Sequence, residues 1–77
     1  MRLEKIRGWL TARGIVHQYH EADSCGSVDF VLRGLAYHVW EYPPEEQAAE
    51  SNLKNCGKME VYEGDYETQL LALMEKL

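Results

Sequence analysis

The dipeptide Arg33-Gly34 lies between two runs of strand-forming residues, and it constrains the fold more than any other feature of the chain. A two-residue loop there predicts a hairpin over Ser27–Tyr42. Leu32 then faces Leu35, and the ladder continues through Val31–Ala36, Phe30–Tyr37, Asp29–His38 and Val28–Val39. Side chains alternate across a strand, so the hairpin has two unlike faces. One carries Val28, Phe30, Leu32, Leu35, Tyr37 and Val39 and reads as core. The other carries Ser27, Asp29, Val31, Arg33, Ala36, His38, Trp40 and Tyr42. That second face is too polar for a core and too aromatic for an idle surface.

The rest of the chain must supply the cover for the apolar face. Leu3, Ile6, Trp9, Leu10 and Arg13 recur at helical spacing and predict a helix over 2–13, with Gly14 placed to end it in a left-handed conformation. Tyr66, Leu70, Leu73, Met74 and Leu77 form the stripe of a second helix over 65–77, and Asp65 suits its N-cap. Ile15 to Ala22 reads as a first strand with no clearly buried face, which suits a sheet edge or a shifted register. Pro43-Pro44 must stop the third strand, because neither residue can donate to a ladder. Residues 45–55 are compatible with a helix by propensity and with a fourth edge strand by their lack of an apolar stripe. Met59 to Tyr62 can form a short extended segment.

These readings predict one α+β domain over 1–77. It has an N-terminal helix, an antiparallel meander of three to four strands and a C-terminal helix, with both helices on one sheet face. At 77 residues with 45% apolar content, a single two-layer core is the most such a chain can build. Charge is distributed unevenly around a net −5: the first fourteen residues are basic and the remainder is acidic. Phosphate neutralisation needs clustered Lys and Arg, so an acidic body argues against nucleic acid as a partner. The N-terminus is charged and amphipathic and no window approaches a membrane span, so a cytoplasmic setting is expected, with Cys25 and Cys56 both free.

Candidate chemistry is sparse. Asp29 and His38 face each other in the hairpin register, which orients an imidazole as a catalytic base requires, and Cys25 lies on the same strand parity as a conceivable nucleophile. A polar cross-strand pair on an open sheet is the simpler account. His17, His20, Cys25 and Cys56 lack the spacing of a structural zinc site. Asp29 and Glu41 fall on opposite faces, and Pro43 stands where a metal-dependent nuclease core would need a lysine. No phosphate-binding loop or dinucleotide turn is present. Neither cofactor nor metal is expected.

The segments Cys25–Phe30, Tyr37–Glu41, Asn52–Gly57 and Gly64–Glu67 together resemble a family of small uncharacterised bacterial single-domain proteins, some of them labelled kinase without kinase motifs. The resemblance implies a free-standing domain and tilts 49–54 toward a strand. Trp, Tyr and Arg are the types that anchor protein interfaces. Asp29, Val31, Arg33, His38, Trp40 and Tyr42 are therefore expected to form a contact face for a second copy or another protein, unless the acidic 43–55 segment folds back over it. The alternative is a small hydrolase or ligand-binding domain that uses Asp29, His38 and Cys25.

Overall fold

The computed structural model describes residues 2–77. The helix α1 (Glu4–Ala12) leads into five strands, β1 (His17–Ala22), β2 (Cys25–Leu32), β3 (Leu35–Glu41), β4 (Ala48–Asn55) and β5 (Lys58–Glu63), and the chain closes with α2 (Tyr66–Met74). The strands form one antiparallel meander in the order β1-β2-β3-β4-β5. The α+β architecture follows the sequence reading, with the meander extended to five strands. Residues 43–55 do not fold back over the open face. They make a short 3-10 turn at Pro44–Glu46 and then join the sheet as β4.

The hairpin register is the one its turn demands. Arg33 and Gly34 hold φ of 51° and 78°, the two positive angles of a type I′ turn, and every pair from Leu32–Leu35 to Ser27–Trp40 is in place. Asp23 and Ser24, with φ of 51° and 63°, make the corresponding turn between β1 and β2, so Cys25 and Gly26 lie in the strand and not in a turn. Gly14, at φ 68°, closes α1: its N–H donates to the Thr11 carbonyl at 3.1 Å and the Ile15 N–H reaches Leu10 at 3.0 Å. Those two bonds satisfy carbonyls that a helix end otherwise leaves unpaired.

Both helices pack on one face of the sheet around Ile6, Leu10, Val28, Phe30, Val39, Leu53, Leu70 and Met74, all buried. Leu35 departs from expectation. It shares the parity of Tyr37 and Val39 but is exposed, because it lies at the hairpin tip beyond the cover of the helices. Trp9 is half-buried against the core, and its ring is capped by the Arg13 guanidinium at 4.0 Å. Arg7 lies over the Tyr19 ring at 4.2 Å. The basic first helix therefore spends two of its cations on its own aromatic neighbours.

One carboxylate on the covered face organises the start of the chain. Glu41 is only 3% exposed. It accepts the Gly26 N–H at 2.9 Å, the Arg2 Nε at 2.6 Å and the Tyr66 hydroxyl. The Arg2 backbone N–H in turn donates to the Tyr19 hydroxyl at 2.8 Å. Gly26 is needed where it stands: a Cβ there would come within 3.0 Å of Glu41 Oε1 and 3.1 Å of both Arg2 Cβ and the Tyr19 hydroxyl. The carboxylate hydrogen bond raises the Arg2 pKa further above its already high value. Burial pushes the Tyr66 phenol up to about 12, and its bond to Glu41 adds to the shift. Free tyrosine ionises near pH 10, so between about pH 10 and 12 the unfolded chain loses this proton while the folded chain keeps it. Stability contributed by the protonated phenol is thus complete below pH 10 and is lost as pH rises through 12. Urea melts across this window should show that decline, and Tyr66→Phe should make it shallower, with Tyr19, Tyr42 and Tyr62, also raised by burial, supplying the remainder. An unchanged alkaline slope in the variant would place the titrating group elsewhere.

Candidate protein interface

The face of the sheet away from the helices carries the residues singled out from the sequence. Backbone pairing puts Asp29 beside His38, Ser27 beside Trp40 and Gln18 beside Asp29 on this side. Trp40 in turn pairs with Glu50, and Glu50 with Val61. Asp29, Val31, Arg33, His38, Trp40 and Tyr42 therefore share one surface. Trp40 is 50% exposed and Val31 62% exposed. Val16, Met59 and Val61, which the sequence reading did not single out, add exposed apolar area at the two edges. Val61 is placed by its pairing with Glu50, Val16 by lining the same hollow as Val31, and Met59 by alternation from Val61.

The surface is gently concave. One trough is floored by Val31, Ala36 and His38 and bordered by Val16 and Gln18. A second lies beside Trp40 and is bordered by His20, Ser27, Tyr42, Pro44 and Glu45. His38 belongs to both.

Polar groups at the centre are held in place. His38 Nδ1 is hydrogen-bonded to Asp29 Oδ1, so the ring has one orientation. Backbone pairing between β3 and β4 covers only Val39–Ser51, Trp40–Glu50 and Glu41–Ala49. Beyond it the Asn52 side chain takes over the work of a strand. Its Oδ1 accepts the His38 N–H at 2.7 Å, and its Nδ2 donates to the Ala36 and Cys56 carbonyls at 3.0 Å each. These bonds tie β3 to β4 where their backbone pairing stops. Tyr42 donates to Glu50 at 3.1 Å and fixes the second trough's wall.

The Asp29–His38 pair acquires no nucleophile. Cys25 is on the same face, but four residues along a strand separate it from Asp29, about 13 Å. Its thiol donates to the Asp23 carbonyl of its own turn at 3.6 Å. Cys56 donates to the Ala36 carbonyl at 3.3 Å, and both thiols are free. Glu41 is buried under the helices and is separated from Asp29 by the sheet. Among the described residues no group of three His, Cys, Asp or Glu side chains is disposed to hold a metal ion. No helix among them is long and apolar enough to cross a membrane. Comparisons with family models, curated proteins and solved structures find no match to this chain.

Proposed function

We propose that this chain is a non-enzymatic cytoplasmic domain that acts through protein contacts made by its open sheet face, with a second copy of itself as partner. The observation that carries this reading is the concentration of exposed large apolar residues on that face: Val16, Val31, Trp40, Met59 and Val61 lie there, and Leu35 is the remaining one among the described residues. A rigid aromatic in a shallow trough, ringed by polar groups, is the composition of an interface centre.

Size supports the same reading. Five strands of six to eight residues offer a face of about 20 Å by 24 Å. That is close to the roughly 500 Å² per partner that a specific interface requires at minimum. A small domain with one thin core also gains stability when it associates. Trp40→Glu places a charge on the open face without touching the buried core. In sedimentation at high micromolar concentration, wild type should run as a dimer and Trp40→Glu as a folded monomer. A monomeric wild type at that concentration overturns the reading.

A further inference from the structure

The open face is polarised along its strands. The end at the β2–β3 turn carries Val16, Val31 and Ala36, with the cation of Arg33 at its tip. The opposite end carries Trp40 and then Tyr42, Pro44 and the carboxylate of Glu45. The Gln18–Asp29–His38 row lies midway: Val31 and Ala36 stand two residues to one side of it, and Ser27 and Trp40 two residues to the other. Arg33 itself occupies a left-handed position at φ 51°, where Gly or Asn suits the turn better. The turn geometry alone gives no reason for an arginine there.

We infer that two copies meet face to face about a twofold axis running across the strands along the Asp29–His38 row; this arrangement rests on the self-association proposed above. The operation exchanges the two ends. The Trp40 ring of each copy then enters the trough floored by Val31 and Ala36 of the other, and Arg33 of each copy meets Glu45 of the other. A closed dimer of this kind repeats each contact twice. The competing axis, parallel to the strands, keeps like ends together. It sets Arg33 near Arg33 and Glu45 near Glu45, and like-charge contacts of that kind disfavour the orientation. The first axis sets Gln18, Asp29 and His38 against their own copies, with each Asp29 carboxylate held by its His38, and the Arg33–Glu45 pairing at both ends favours it.

Arg33→Glu and Glu45→Arg test the arrangement, because both positions are exposed and neither supports the core. Each variant alone should weaken self-association about tenfold at low salt, through two like-charge contacts per dimer. An equimolar mixture of the two variants should regain wild-type association, because the mixed dimer has an opposite-charge pair at both ends. Sedimentation equilibrium of each variant and of the mixture reads both effects, and circular dichroism verifies the fold. Variants that associate like wild type, or a mixture no tighter than its components, overturn the arrangement. If Trp40→Glu still separates the copies in that case, self-association survives and only this geometry falls. A monomeric wild type removes both.

Discussion

Glu41→Ala should lower the folding free energy by about 3 kcal/mol, a large part of what a domain this small has. Several terms make up that figure, and their sizes differ. The Arg2 side chain is 32% exposed, so its guanidinium can rehydrate once the carboxylate is gone. The Gly26 N–H cannot do so readily: it is buried, and the Glu41 carboxylate is its partner across the β2–β3 ladder. An orphaned buried donor costs about 1–3 kcal/mol, and the lost charge-assisted bonds and the void from the missing side chain add to it. Glu41→Gln keeps an acceptor oxygen and should cost clearly less. Arg2→Ala should cost less again. Urea denaturation of the three variants orders them, and an Arg2→Ala loss as large as that of Glu41→Ala would shift the weight onto the ion pair.

Phe30→Ala is expected to cost roughly 3–5 kcal/mol, enough to leave much of the protein unfolded at room temperature. Phe30 is buried on the covered face, and its ring stacks on Tyr37 across the hairpin with centroids 5.4 Å apart. Truncation removes the aromatic pair and opens a cavity beneath two short helices that have little means of collapsing into it. Thermal unfolding followed by circular dichroism checks it. A cooperative melt near that of wild type would contradict the central placement of Phe30.

Why so much of the fold is legible in the sequence follows from the hairpin. A two-residue turn leaves one register, and with period-two alternation one register settles which side chains meet. Asp29–His38 is the direct result. The helices were readable because Gly14 and Asp65 are strong end signals: Asp65 accepts from the Thr68 N–H and its hydroxyl, at 3.4 Å and 2.9 Å. What could not be read has physical reasons. β4 carries Ala48, Ala49, Ser51 and Asn52, all buried but mostly small or polar, so burial there does not look like hydrophobicity. The bulge between Ser51 and Asn55 also breaks its period. Leu35 satisfies the alternation and is nevertheless exposed, since periodicity assigns a face but not how far the helices extend over it. Alternation places Glu41 on the covered face, yet its role rests on Arg2, Gly26 and Tyr66, which are brought together only by the tertiary fold.

Glu67 shows how the two ends of the chain depend on each other in time. Its carboxylate, in the first turn of α2, accepts the backbone N–H groups of Lys5 and Ile6 at 2.8 Å and 3.2 Å. Leu3, at the N-cap of α1, supplies no side-chain acceptor. A nine-residue helix with a glycine in its middle is unstable in isolation, and here its cap lies some sixty residues further along the polypeptide. During folding α1 must therefore wait for α2 before it can settle. On the pulse-labelling timescale, the Lys5 and Ile6 amides should acquire protection together with α2 and later than the β2–β3 ladder. On this account α1 orders late, although it precedes the whole sheet in sequence.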